Sequence, residues 1–286
     1  MTKPCQGPNP TSRQPRLRAP AGATDCHAHV FGPPARYPFD PARSYTPPEA
    51  PLAAYRRMLD ALGIERAVVV QPSVYGTDNR ATLDAIHDFG PGCRGVAVVA
   101  PDIAETTLID MHASGVRGIR LNILYRGGIG IEAMARLADR IKALGWHIQL
   151  LLDVRTLPEL TSRLMALPVA IVFDHMGHMI VDHGIDHPGF KALLDLLRHD
   201  HCWVKLSGNY RISAAGPPYA DAVPFARALV AANPARLVWG SDWPHPAVEG
   251  PMPDDGDLLD ALLDYAPDPG LRRAILVDNP AVLYGF

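Results

Sequence analysis

Long apolar runs are missing from this sequence of 286 residues. Stretches such as Ala67 to Val70 and Leu150 to Leu152 fall far short of the roughly 20 residues that cross a bilayer, so no membrane span is expected. Cysteine is scarce too: Cys5, Cys26, Cys93 and Cys202 lie far apart with no CxxC pair, which fits buried thiols and not a disulfide or zinc framework. Charge of one sign is also lacking. Lys and Arg number 27 against 30 Asp and Glu, a net charge of -3, so no global field draws nucleic acid or anionic lipid. Any anion must be held locally. The opening Met1-Thr2-Lys3-Pro4 has no apolar stretch behind it and so lacks the anatomy of a secretory signal, which makes the cytoplasm the expected compartment. Finally, no glycine-rich phosphate loop follows the first predicted strand, which argues against an open doubly wound sheet. Gly127-Gly128-Ile129-Gly130 comes after the fourth strand without a P-loop lysine and reads as a flexible loop.

What is present is ordinary globular material, 48% hydrophobic and 20% charged. Residues 1–22 carry Pro4, Pro8, Pro10, Pro15 and Pro20 with four cations and no acid. That composition cannot order itself alone and is expected to form a disordered or extended tail. From residue 23 to 286 short β-branched runs alternate with segments of helical period, the pattern of repeated βα units. The expected strands are Thr24 to Phe31, Arg66 to Gln71, Gly95 to Ala100, Gly118 to Asn122, His147 to Leu152, Ala170 to Asp174, Cys202 to Leu206 and Leu237 to Ser241. Leu52 to Leu62 and Ala133 to Leu144 show helical spacing, stopped by Gly63 and Gly145. Asp78 or Asn79, and Thr156 ahead of Leu157-Pro158, are expected helix caps. The predicted fold is a single α/β domain, a (β/α)8 TIM barrel over residues 23–286.

In such a barrel the reactive face is the carboxyl end of the strands. The first strand ends Asp25-Cys26-His27-Ala28-His29, and alternation sends both histidines to one side. The sixth ends Asp174-His175-Met176-Gly177. The eighth ends Gly240-Ser241-Asp242-Trp243-Pro244-His245, where Asp242 follows an apolar strand between aromatic residues and is the candidate base. Arg120 on the fourth strand, Arg126 in its loop and Arg211 after the seventh are the candidate anion-binding forks. His183, His187, His199 and His201 are read as solvated or capping groups.

His27 and His29 on strand one, His175 on strand six and Asp242 on strand eight together resemble the amidohydrolase superfamily of β/α barrels, whose metal-binding members use these positions. Five segments in order are similar to the 2-pyrone-4,6-dicarboxylate lactonase family across residues 22–286. They are Asp25 to Pro33, Gly76-Thr77-Asp78-Asn79, Arg117-Gly118-Ile119-Arg120, Asp174 to Gly177, and Trp239 to Pro246. The resemblance implies metal-independent hydrolysis of a carboxylated lactone such as 2-pyrone-4,6-dicarboxylate in the catabolism of aromatic acids. It carries Tyr45 and Ser73 over as substrate-binding residues. His178 stands where the family has a substrate-contacting arginine, and Leu151 where it has a tyrosine, so a muconolactone-type or sugar acid lactone is an alternative substrate.

A zinc site needs three or four protein ligands, and metal-dependent relatives add one from strand four or from the carboxyl end of strand five. Here those strands offer Arg120 and Asn122, and Gln149, Leu151 and Asp153, with His147 at the wrong end. No cofactor is therefore expected, with zinc or another divalent metal in a decarboxylase or hydratase as the alternative. Asp242 is expected to take a proton from water while His27, His29 and His175 hold the ring carbonyl, and Arg120, Arg126, Arg211 and His178 to face the substrate carboxylates. The expected partner is a small anionic lactone, with no nucleic acid and no membrane.

Overall fold

The computed structural model describes residues 4–124 and 129–286. Eight parallel strands, β1 Thr24–Ala28, β2 Arg66–Val70, β3 Cys93–Ala97, β4 Val116–Asn122, β5 His147–Leu151, β6 Ile171–Phe173, β7 Cys202–Leu206 and β8 Leu237–Trp239, are hydrogen-bonded in chain order. Beyond the regular ladder the segment after β8 meets β1. Asp242 N donates to His27 O at 2.8 Å, and His29 N donates to Trp243 O at 2.7 Å. These two bonds join the first and last strands into a (β/α)8 barrel.

The helices are α1 Leu52–Leu62, α2 Arg80–Phe89, α3 Glu105–Ala113, α4 Met134–Ile141, α5 Leu157–Met165, α6 Pro188–Leu197, a short α7 Asn209–Ile212, α8 Val223–Ala232 and α9 Asp255–Asp260. Further short helices follow, the last being Asn279–Tyr284. Gly63 and Gly145 take left-handed φ of 70° and 66° and end their helices as the spacing predicts, a backbone region that costs glycine little. Of the expected caps, Asp78 accepts Arg80 N at 3.2 Å at the start of α2, while the Asn79 side chain pairs with the Val98 backbone in both directions, at 3.0 and 2.8 Å. Asp153, not Thr156, accepts Arg155 N at the turn before α5.

Apolar residues on the outer face of the strands pack against the helices, while Cys26, Val68, Val70, Val96, Val172, Trp203 and Val238 fill the barrel with Tyr284 beneath them. Each fully buried valine here is worth roughly 1.5–3 kcal/mol. Above that apolar layer the interior turns polar, with Arg120, Gln149, Asp174 and Lys205 at 0–5% exposure. His147 sits low, edge-on to the Tyr284 ring with centroids 5.3 Å apart, at the end of the barrel away from the reactive face.

Residues 4–22 are extended and docked on the barrel. Cys5 N donates to Thr46 O at 2.9 Å, Leu17 is buried and its N–H donates to Asp260 Oδ1 at 2.8 Å. Arg13 pairs with Asp257 and Asp260, both from α9. A segment with little apolar material beyond Leu17 is thus ordered by acids more than 240 residues away. Among the described residues, no helix is long and apolar enough to cross a membrane.

Candidate active site

The strand ends break from regular geometry where their polar residues begin. His175, Met176, His178, Asp242 and His245 all have φ between 51° and 66°, a region that strains non-glycine residues and concentrates at functional sites. Close approach helps to force these turns. A Cβ on Gly240 would sit 2.7 Å from His27 Cβ, so only glycine lets the eighth strand run this close to the first.

Asp242 is the centre of the site. Its Oδ1 lies 3.7 Å from His27 Nε2 and 3.8 Å from His29 Nε2, and its Oδ2 lies 3.7 Å from His175 Nε2. Oδ2 also accepts Arg211 Nε at 2.5 Å and the Tyr210 hydroxyl at 2.6 Å. Asp242 is closed to bulk solvent yet lines the floor of a narrow pocket. His29, His175, Tyr45, Ser73, Arg120, Arg211 and His178 line the same pocket, with Leu151 and Asn122 beside them. Sequence reasoning therefore brings its candidates to one place, apart from Arg126, which lies outside the described residues, and His27, which stands behind the pocket wall against Asp242.

The charges are arranged in two pairs. Arg120 donates to Asp174 Oδ2 through Nε at 3.1 Å and lies 3.0 Å away through Nη2, and Gln149 Nε2 donates to the same oxygen at 3.0 Å. Lys205, fully buried, donates to Cys26 O and Gln149 Oε1 at 2.7 Å each, and its Nζ lies 3.3 Å from His27 Nδ1. Asp174 Oδ1 is also 3.3 Å from His27 Nδ1.

Burial drives the titrations, and the pairs decide where they end. Desolvation pushes His27 down to about 4 and holds His29 and His175 well below the usual imidazole range, so all three rings are neutral at pH 7. Burial would raise Asp242, but Arg211 foremost holds it well below the usual carboxylate range. Lys205 is lowered to about 8 by burial, with Asp174 opposing, and stays mainly charged at neutrality. His29 Nδ1 lies 2.7 Å from Val70 O and must donate to it, so the neutral ring presents a bare Nε2 to Asp242.

A metal can be tested against this geometry. His27, His175 and Asp242 each offer a ligand atom within 4.8 Å of the others, and His29 Nε2 lies 3.8 Å from Asp242 Oδ1. Donor type and spacing fit a divalent cation, and His27 Nε2 and Asp242 Oδ1 are buried without a hydrogen-bond partner. His27, His175 and Asp242 would hold it, with His29 beside them, and it would lower the pKa of a bound water.

Several working residues were not singled out from sequence. Lys205 is the one charged residue of Cys202-Trp203-Val204-Lys205-Leu206, and its alternation with Trp203 was the available signal. Tyr210 precedes a candidate arginine and carried no signal of its own. His187, read as a capping group, does accept Gly189 N at 3.0 Å at the start of α6.

Comparison with known proteins agrees with the geometry. The chain is 42% identical over 282 residues to a 2-pyrone-4,6-dicarboxylate hydrolase of Comamonas testosteroni, covering 95% of this chain and 92% of that one. It is 41% identical over 287 residues to a 4-sulfomuconolactone hydrolase of Hydrogenophaga intermedia, covering 98% and 94%. An apo crystal structure from Agrobacterium tumefaciens superposes with a TM-score of 0.88 at 31% identity, over 95% of this chain and 98% of that one. With the family model for amidohydrolases matching residues 24–286, this chain belongs to the amidohydrolase family.

Proposed function

We propose that this protein hydrolyses a small anionic lactone at the floor of its pocket, without a metal. The observation that carries the reading is the convergence of Asp242 with three imidazoles beneath Arg120 and Arg211. Ester hydrolysis needs a water stripped of a proton and donors for the oxyanion that forms on the carbonyl. Asp242, ionised at pH 7, takes the proton. Neutral His29, whose Nε2 can only accept, shares that water with it; this differs from the expectation that all three histidines donate to the carbonyl. A Ser207 hydroxyl hydrogen on His175 Nδ1, 3.0 Å away, leaves that ring's hydrogen on Nε2, which donates to the carbonyl oxygen. His27, behind the pocket wall, has Asp174 Oδ1 3.3 Å from its Nδ1 and backs Asp242. As water oxygen bonds to the carbonyl carbon the ring C–O bond breaks, and the departing oxygen receives a proton.

The substrate class follows from charge. Around the pocket Arg120, Arg211 and Lys205 outnumber Asp174 and Asp242 by one while the three imidazoles are neutral. A carboxylated or sulfonated lactone of the kinds named for the relatives complements that excess. The second reading is a divalent-metal enzyme, the ion held by His27, His175 and Asp242, favoured by their spacing. Opposing it, Arg211 already occupies Asp242 Oδ2, and Lys205 adds a second cation beside His27. Steady-state assays on the pyrone dicarboxylate, sulfonated and unsulfonated muconolactones and sugar acid lactones test the proposal, with Asp242→Asn as control. Turnover of none of them would refute it.

A further inference from the structure

Behind Asp242 a buried chain of hydrogen bonds leads away from the pocket. Tyr210 on α7 donates its hydroxyl to Asp242 Oδ2 at 2.6 Å. His245, three residues past Asp242, places Nδ1 3.3 Å from the Tyr210 oxygen and Nε2 3.1 Å from Asp255 Oδ1 on α9. The His245 side chain is fully buried, Asp255 is 1% exposed, and the Tyr210 and His245 rings meet edge to face with centroids 5.3 Å apart. Ser12 of the docked N-terminal segment closes the chain, with Oγ 3.3 Å from Asp255 Oδ2.

Counting hydrogens fixes the direction of each bond. A phenol has one hydrogen, and Tyr210 gives it to the Asp242 carboxylate, so its oxygen can only accept from His245. The Asp255 carboxylate can only accept as well. A hydrogen on His245 Nδ1 is what joins the ring to the phenol oxygen.

We propose that Tyr210 and His245 are positioning residues for Asp242, forming a hydrogen-bonded relay from Asp255 through His245 and the phenol to Oδ2. Two donors on that oxygen, Tyr210 and Arg211, stop the carboxylate from rotating and leave Oδ1 turned toward His27 and His29, where the attacking water belongs. The relay rests on the reading of Asp242 as the base. Its geometry keeps the base aimed with no contact between His245 and the reacting atoms.

The test has two arms. Nitrogen-detected NMR of the wild-type protein at pH 7 reads His245 directly, whatever the substrate proves to be: a hydrogen on Nδ1 supports the relay, and a bare Nδ1 overturns it. Kinetics on the best lactone of the panel then compares Tyr210→Phe, His245→Gln and the double variant. We expect kcat to fall about 10- to 100-fold in each single variant with KM within about twofold, and the double variant to be no slower than the slower single. Losses that multiply, or that appear in KM alone, would overturn the relay. Should Tyr210→Phe fail to fold, Asp255→Asn read by the same kcat and KM split replaces it. Absence of any lactone turnover with an intact His245 signature would instead overturn the lactonase reading and leave the hydrogen-bonded chain standing.

Discussion

The Nε of Arg211 lies 2.5 Å from Oδ2 of Asp242, and its Nη2 donates to Pro246 O at 3.1 Å, so the guanidinium tethers the base to its own loop as well as lining the pocket. It is also the charge that keeps Asp242 ionised among neutral imidazoles. Arg211→Gln removes a cation that stabilises the anionic carboxylate, so the Asp242 pKa rises and the acid limb of kcat/KM moves to higher pH. Arg211→Lys retains the charge but not the fork and is expected to shift the limb less while still losing turnover. An acid limb unmoved in both variants would separate Arg211 from the base.

Asp242→Asn keeps the shape of the side chain and removes its basicity. Turnover is expected to fall by about 10²- to 10⁴-fold, the range assigned to a positioned general base. Binding of a non-hydrolysable anionic analogue, measured by calorimetry, is expected to stay within a few-fold of wild type.

Acid stability follows from the buried imidazoles. His27, His147 and His178 are pushed by burial to about 4, 3 and 4, against 6.5 in the unfolded chain. Between those values the unfolded state binds more protons, so stability is full above pH 6.5 and is lost as pH falls. Asp25, raised by burial to about 6, works in the opposite direction between 3.8 and 6. These four groups together lose about 4 kcal/mol from pH 7 to pH 5 at roughly 1.4 kcal/mol per proton and pH unit, and His29 and His175, lowered by burial, add to the loss in the same sense. Urea unfolding at pH 7, 6 and 5 measures it, and a flat profile would show these rings to be charged in the folded protein.

Protein stripped of divalent metal, verified by elemental analysis, is expected to retain its full kcat. Activity that disappears with stoichiometric zinc and returns with it would favour the metal-holding reading of His27, His175 and Asp242.

The pocket corner at His178 holds a neutral ring at pH 7, because burial lowers it to about 4. His178→Arg places a permanent fork there, and Leu151→Tyr adds a phenol at the wall. Together they are expected to raise kcat/KM for the pyrone dicarboxylate by about 10-fold or more relative to a singly charged lactone, the effect of about one charge-assisted hydrogen bond. Unchanged preference would move the specificity elsewhere in the pocket.

Strand positions were legible in the sequence because runs such as Arg66–Val70 are β-branched and buried on both faces. Their ends were less so. The run beginning at Thr24 was extended to Phe31, but its ladder stops at Ala28, since the residues beyond it leave the sheet to shape the site. Conversely β3 starts at Cys93 because Ala67 on β2 pairs with it, a partner choice that local pattern does not contain. Asp242 and the histidines stood out as polar residues at the ends of apolar strands. Lys205, Tyr210 and His245 matter through what they touch, and contacts across 30 to 180 residues leave no local mark. The docking of residues 4–22 leaves no local mark for the same reason: Arg13 finds its acids on α9.

The seam between the first and last strands is made by the backbone of His27, His29, Asp242 and Trp243, three of which carry the chemistry. Fragments lacking either edge would hold every intermediate strand and still have no base beside its imidazoles. Recovery of turnover during refolding is therefore a stopwatch for the moment the cylinder zips, readable without any spectroscopic label.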